Sequence, residues 1–489
     1  MTKAIKAALS ASLLLGLQVP VSALASNDLQ KQVDDLSKQV TALQQQLNKV
    51  GAKASATPHA TKASKKQSKH GRKRAENFTD SVGDDNYQAA SVTTSPTLGL
   101  RSAHHGQDLV VNFSSLNEDL RLLEQRQKFQ KQRGVAELSR PLVEISGVLR
   151  GDIEYDRNFA GNSTTDLDLV EAEVDLFAEA SRWVSGFMSL AYDNGMPTYD
   201  VQSVAPGQGY NNLSWSNIYL KRGFITLGDL TQKPVYGSIG QMYMPFGKYS
   251  TWLVSSPLTK KLGRTSGRGI DIGYKGDKFV ATGFVMHGDV REVANSDGSS
   301  ALNDNLNAWG GNVETSVDLA KSSKLTVGAG YTNNIADSEG ILSVLEYATK
   351  TFTSSISYNI QNFVPAYDVY AKLEFGDNWI VNAEYINARK DIIADVGAGY
   401  NLGQPRAYHV ELDHLAYAGP LPLAMGIGYG HTDGFQYLPQ DSYQVAVSTY
   451  LWKDTVQSLE YRHLRAYPGT ESTAIYSRNY VTALFSMYF

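Results

Sequence analysis

The chain has 489 residues, no cysteine, 28 Tyr, 42 Gly and a mean hydropathy of −0.30. No stretch offers the roughly 18 or more consecutive apolar residues of a membrane-spanning helix, which excludes a helical membrane protein. A membrane β-barrel stays open, because its strands are only half apolar. The formal net charge of −4 conceals an uneven distribution: removing Lys3 and Lys6 with a leader gives −6, and setting aside the eight Lys/Arg of 53–74 gives −14 elsewhere. That basic stretch lacks acids and any aromatic or helical reader, so nucleic acid is not among the expected partners.

In chain order, residues 1–25 read as a secretory signal peptide. Lys3 and Lys6 form its charged start, Ala7 to Leu17 its apolar run, and Ala23-Leu24-Ala25 a small-x-small cleavage site. Export without cysteine places the burden of stability elsewhere, and a closed hydrogen-bonded barrel is one such source. Over 26–52, Leu29, Val33, Leu36, Val40, Leu43, Leu47 and Val50 alternate in steps of four and three, the stripe of a coiled coil. Three heptads are marginal alone, so this segment implies homo-oligomer formation or docking. Residues 53–114 read as a basic flexible tether and irregular segment, able to touch an anionic surface such as the cell wall. A pre-barrel helix is expected over 115–140, opening at Ser115 with Glu118 as a capping box and running to about Arg133. Leu116, Leu120 and Leu123 share one side, whereas Arg121, Glu124, Arg126, Lys128, Lys131 and Arg133 read as solvated. Such a helix either enters a barrel mouth as a small plug or lies beneath it.

From Pro141 the texture becomes alternating. In the first strand Val143, Ile145, Gly147, Leu149, Gly151, Ile153 and Tyr155 form one face, with Glu144, Ser146, Arg150, Asp152, Glu154 and Asp156 opposite. In the last, Val481, Ala483, Phe485, Met487 and Phe489 oppose Tyr480, Thr482, Leu484, Ser486 and Tyr488. About sixteen such segments lie between 141 and 489, joined alternately by tight turns and long connections. The reading is therefore all-β: a transmembrane antiparallel β-barrel of about 16 strands, preceded by a coiled coil and a short helix. An even strand number puts both barrel ends on the short-turn rim, hence a periplasmic N-terminal region in the outer membrane of a Gram-negative bacterium. Tyr192, Tyr219, Tyr385, Tyr417, Tyr429, Tyr461 and Tyr488 read as an interfacial girdle against outer-membrane lipid.

Several stretches resemble one family. Ile225-Thr-Leu-Gly-Asp-Leu-Thr-Gln-Lys-Pro-Val-Tyr236, continued by Gly240-Gln-Met-Tyr-Met-Pro-Phe-Gly247 and Ser256-Pro-Leu-Thr259, resembles the signature of the LbtU-type siderophore porin family, the legiobactin-receptor type. Leu116-Asn-Glu-Asp-Leu-Arg-Leu-Leu-Glu-Gln-Arg126 and Ile145-Ser-Gly-Val-Leu149 resemble its pre-barrel helix and first strand. The resemblance implies a barrel of about sixteen strands that takes up a ferric siderophore without a full-size energised plug domain. It also implies presentation to the barrel-assembly machinery through the terminal Phe489 strand. Read from the residues alone, Gly228-Asp229 and Pro234 suit a hairpin turn. Met242, Met244, Pro245 and Phe246 lead into a long loop that either constricts the pore or simply ends a strand.

No catalytic constellation stands out, so an enzyme is not expected, and no cofactor or metal is expected either. His104-His105 and the His409/His414 pair lack metal-ligand spacing and read as isolated surface histidines. The candidate pore-lining residues are Arg150, Asp152, Glu154, Glu171, Glu173 and Asp175, because acids on the lipid face would be expensive. An acid-rich wall would attract cationic solutes, although ion pairing with Arg150 is the plainer role. Partners are then a ferric siderophore or another small polar solute. The alternatives are a general or cation-preferring diffusion porin, or a cell-wall tether held by a barrel.

Overall fold

The computed structural model describes residues 91–94, 109–112, 114–133, 142–193, 217–288, 306–352, 359–376, 378–395, 399–470 and 478–489. The expected leader and coiled coil lie outside the described residues, as does most of the expected tether. Sixteen long strands follow: β1 Leu142–Arg157, β2 Ser163–Ser181, β3 Val184–Asp193, β4 Asn217–Gly228, β5 Val235–Tyr243, β6 Ser266–Lys275, β7 Phe279–His287 and β8 Leu306–Ala320. The second half comprises β9 Ser323–Thr332, β10 Ala366–Phe375, β11 Trp379–Ala388, β12 Arg406–Ala418, β13 Leu421–Asp433, β14 Asp441–Thr449, β15 Thr455–Arg465 and β16 Asn479–Tyr488. Each pairs antiparallel with its neighbour, and β16 returns to β1 in the register Val148↔Tyr488 to Arg157↔Asn479. Closure satisfies every ladder and leaves no edge, the condition for strands to cross a bilayer. At the seam Gly147 and Phe489 exchange main-chain bonds of 2.8 and 3.0 Å. The terminal ring lies on Gly147, where a side chain would collide with it. Below that point Ser91–Thr94 pairs in parallel with Leu142–Ile145.

The alternation has the expected sense. Leu149, Ile153 and Tyr155 on β1, Ile225 and Leu227 on β4, Val410 and Leu412 on β12, and Val481, Phe485 and Met487 on β16 are exposed to the outside. Aromatic pairs mark both rims of this apolar band. Tyr274–Phe279, Phe375–Trp379 and Trp452–Phe485 lie at the short turns; Trp309–Tyr331, Tyr367–Tyr385 and Tyr429–Tyr443 lie toward the long connections. Along β12, Tyr408 and Tyr417 are roughly 30 Å apart at strand rise, or ~23 Å across a bilayer at the usual tilt. Tyr488 departs from the expected girdle: it turns inward, buried, with Arg150 3.4 Å from its hydroxyl.

Two β-bulges keep charge inside. Along β2 the acids fall on even positions, Asp166 and Asp168, and then on odd ones, Glu171, Glu173 and Asp175. Strict alternation would put one group in lipid. The register shifts between Arg150↔Glu171 and Gly151↔Leu169, so Val170 is extra and both groups face inward. Leu169 and Val170 are accordingly both exposed. A second shift, from Ser189↔Arg222 to Leu190↔Leu220, makes Lys221 the extra residue of β4 and lets Lys221 and Arg222 both enter the lumen.

Three elements fill the interior. Helix α1, Glu118–Arg133, starts three residues after the expected cap and enters the barrel. The β5–β6 connection, 244–265, folds inward and carries α2, Leu258–Gly263. At the long-loop rim, α3 Glu339–Phe352 and a small sheet (Asn359–Ile360, Ile392–Asp395, Gly399–Gly403) form a cap. Ile335, Ile341, Leu345, Ile360 and Ile392 of that cap share one core with Phe246 and Leu262 of the inward loop.

Deleting Val170 should abolish the barrel. One group of β2 acids would be forced to the lipid face, each at a cost below the ~2–4 kcal/mol of a midplane Arg or Lys but repeated along the strand. Refolding into liposomes, followed by circular dichroism and protease protection, checks this; normal insertion of the deletion would contradict the bulge assignment.

Candidate functional site

The inward loop is fastened to the wall by carboxylates on three separate strands. Glu384 of β11 accepts the main-chain N–H of Lys248 (2.6 Å) and of Tyr249 (2.9 Å) on one oxygen, and the Thr259 hydroxyl (2.6 Å) on the other. Glu411 of β12 accepts Trp252 N–H (2.5 Å) and the Thr251 hydroxyl (2.6 Å), and is braced by His409 Nε2 at 2.8 Å. Glu460 of β15 accepts Val254 N–H (2.7 Å) and Ser255 N–H (3.1 Å). Lys248 adds an ion pair of 2.6 Å to Glu314 on β8. The loop thus tracks the wall from β8 to β15. A bond to a charged acceptor contributes about 1.5–3 kcal/mol, and a buried donor left without one costs about 1–3 kcal/mol. This loop is a fixed part of the barrel. Its other end meets the cap: Arg264 pairs with Glu339 at 2.6 Å, and a Cβ on Gly340 would sit 1.7 Å from the Lys261 carbonyl.

Leu109–Asn112 lies against the inward loop, and α1 faces the other side of the wall, β2 and β4 to β7. Leu109, Val110 and Val111 pack with Val148, Trp252 and Leu484; Leu120 and Leu123 pack on Tyr236 and Val280. Glu118 does not reach back as a capping box but pairs with Arg222 of β4. Asp119 accepts the Ser238 hydroxyl at 2.7 Å, and Asn117 accepts that of Thr282 at 3.0 Å. Arg126, expected in solvent, is buried in a 2.9 Å pair with Glu179. Asn112 touches the loop through Lys260 and, at 3.2 Å, Ser256. Of the two expected placements the helix takes the plug.

The six candidate residues separate into two groups. Arg150 and Glu171 pair at 2.6 Å. Lys221 reaches Glu171 at 3.1 Å and Glu173 at 2.6 Å, while Arg222 pairs with Glu173 and lies 3.7 Å from Asp175. Asp152 and Glu154 sit nearer the long-loop rim, opposite Asp168 and Asp166. Glu154 accepts the Thr482 hydroxyl at 2.9 Å and lies 3.9 Å from Arg462. Around Glu171, Glu173 and Asp175 the wall is an interleaved ladder, because β4 brings in two cations beside the β2 acids, whereas Asp152, Glu154, Asp166 and Asp168 stay together as an acidic group. His409 is likewise no surface residue: it is buried against Glu411, while His414 stacks on Trp379 at 3.9 Å. Among the described residues no three His, Asp or Glu side chains are placed to hold a metal ion.

Sequence reading passed over Lys221, Arg222, Glu384, Glu411 and Glu460, and took Glu118 for a helix cap rather than a partner of Arg222. A signal existed for some. Lys221-Arg222 breaks the alternation of β4, and Glu384 is the one acid on the inward register of an otherwise uncharged β11.

No protein-family model matches the chain. A UPF0422 protein of Coxiella burnetii is 32% identical over 422 residues, covering 82% of this chain and 85% of its relative. The chain belongs to the UPF0422 family. The UPF0422 protein lpl2888 of Legionella pneumophila strain Lens is 30% identical over 386 residues, covering 76% of this chain and 69% of its own length. Among solved structures, the outer membrane channel DcaP of Acinetobacter baumannii aligns over 71% of this chain and 97% of its own, at 12% identity and a TM-score of 0.43. A closed sixteen-strand barrel with an apolar exterior is the outer-membrane architecture, and this UPF0422 barrel has a porin-like plan with a filled lumen.

Removing the Glu384 carboxylate tests the fastening. Glu384→Ala leaves two main-chain N–H groups and the Thr259 hydroxyl without their acceptor, a loss of about 3 kcal/mol or more; Glu384→Gln, which keeps a carbonyl acceptor, should cost less. Hydrogen exchange at Lys248 and Tyr249 should rise strongly in the first variant and modestly in the second. A pH effect follows for the plug. Burial pushes the Asp119 carboxyl up to about 6 from an ordinary 3.8, the Ser238 hydrogen bond acting in the opposite sense. A raised carboxyl pKa in the docked state favours docking when protonated. The hold is full below about 3.8 and weakens as pH rises through about 6, by up to ~100-fold in the docking equilibrium. Exchange of α1 amides, corrected for intrinsic rate, should therefore speed up over that window and lose the dependence in Asp119→Asn.

Proposed function

We propose that the chain is an outer-membrane channel for small polar solutes, with its short-turn rim and N-terminal region in the periplasm. The observation that carries this reading is the inward loop: three buried wall glutamates hold it across the barrel. A loop fixed by main-chain bonds gives a constriction of defined shape, which suits selection among solutes. The filled lumen favours a selective channel over a general diffusion pore. Acids of β2 paired with the two cations of β4, beside the acidic group nearer the long-loop rim, suit a polar solute.

The solute we propose is a ferric siderophore. Support comes from the resemblance to siderophore porins, whose carrying residues fall on elements that fill or frame the lumen. Gly240 to Gly247 leads into the inward loop, Ser256 to Thr259 opens α2, and Leu116 to Arg126 belongs to the plug. A chelated ferric ion brings its own ligands, so the wall need only supply a polar surface of the right size. We further propose that the coiled coil associates copies of the chain.

Two measurements separate the parts of this reading. Iron-limited cells carrying the protein should accumulate labelled ferric siderophore faster than cells lacking it; equal uptake would remove the siderophore. Purified protein in planar bilayers should show discrete conductance steps, and a persistently silent membrane would count against any channel.

A further inference from the structure

The two inserts differ in what their removal would leave behind. Withdrawing the inward loop would strip the acceptor from five main-chain N–H groups, those of Lys248, Tyr249, Trp252, Val254 and Ser255, and expose three buried carboxylates to an empty lumen. Of the three acceptors Glu411 keeps a wall hydrogen bond, to His409 at 2.8 Å, but the hydrogen bonds of Glu384 and Glu460 go to the loop, and the five N–H groups would lose theirs. The contacts of the plug are of another kind. Arg222, which holds Glu118, also pairs with Glu173, lies 3.7 Å from Asp175 and donates to Ser189 at 3.1 Å. Ser238, which donates to Asp119, is 2.9 Å from the Thr226 hydroxyl, and its N–H donates to Asp271 at 2.9 Å. Thr282, which donates to Asn117, lies 3.3 Å from the Tyr236 hydroxyl. At the inner end of α1, every wall group that grips the plug therefore has a second partner within the wall.

Buried polar groups resist separation because an unpaired donor or charge has no water to turn to. On that accounting the inner end of α1 can leave without stranding a wall group, at the cost of the buried Arg126–Glu179 pair and of the Asn112 contacts to Lys260 and Ser256, whereas departure of the loop strips five N–H groups of their acceptors. We propose that Leu109–Arg133 is the movable gate of the lumen and that the inward loop is its fixed constriction. The gate is held closed by apolar contacts of Leu109, Val110, Val111, Leu120 and Leu123, by the Glu118–Arg222 and Arg126–Glu179 pairs and by the bond from Lys260 to Asn112. Those contacts make the open form a minor one, and its onset is the withdrawal of the segment toward the rim where Glu124 meets Lys275 at 2.8 Å. The purpose of the gate rests on the channel reading; its displacement does not.

A chain without cysteine gives a clean background for testing displacement. Leu123→Cys and, as a second site, Val111→Cys report on the plug, and Leu253→Cys on the loop; all three positions are buried in the closed form. In the full-length protein inserted in liposomes, a water-soluble maleimide should label the two plug positions at least about tenfold faster than Leu253→Cys, since local opening exposes only the segment that can move. Leu253→Cys should stay protected until the barrel is unfolded. Equal protection at all three, or faster labelling of the loop position, overturns the proposal. In bilayers, joining Glu124→Cys to Lys275→Cys with a short cleavable cross-linker should abolish current that cleavage restores. Current that persists through the cross-link overturns the gate. A membrane silent in every variant would instead sink the channel reading, while the labelling ratio would still decide displacement.

Discussion

A carboxylate cannot face lipid, and that constraint orders this barrel. The inner and outer faces of each strand are settled by which side carries the charge, and where the sequence changes phase the backbone follows. On β2 the change from even to odd acids is absorbed at Val170, an extra residue opposite Arg150 and Gly151. On β4 an extra Lys221 lets two successive cations enter where a strict strand would admit one. The two bulges act together, for the cations delivered by the second neutralise the acids kept inside by the first.

Once inside, the acids meet a second constraint: main-chain donors in a crowded lumen need acceptors. Glu384, Glu411 and Glu460 supply them, and a connection that could have been an exposed loop becomes part of the wall. The carboxylates and the loop depend on each other, since neither the ions nor the N–H groups would be stable alone in that setting. The plug is held differently, by apolar packing and by polar groups of the wall that have other partners. Rigidity and mobility in this lumen thus follow from the same hydrogen-bond accounting.

Much of the fold was legible in the sequence. Alternation over sixteen segments, short turns against long connections and the apolar row ending at Phe489 each survive in the structure, because period-two patterning is a local property that a closed sheet preserves. The helix was legible, and its choice between plug and support was not, because that depends on Arg222 and Ser238, distant in sequence from Glu118 and Asp119. For the acids of β1 and β2, pairing with Arg150 was legible from the sequence and pairing with β4 was not. Their neutralising partners come from β4, and Tyr488 turns inward to Arg150 from the other side of the seam. His409 shows the same limit: nothing local says that it braces a glutamate under a loop fixed from β8 to β15.

The most direct test of the central claim is a scan of single spin labels along 165–176, comparing accessibility to lipid-soluble oxygen with accessibility to a water-soluble nickel reagent. The account predicts oxygen maxima at Leu167 and Leu169 that change phase at Val170 and continue at Ala172 and Val174. An alternation that runs unbroken through Val170 would contradict it.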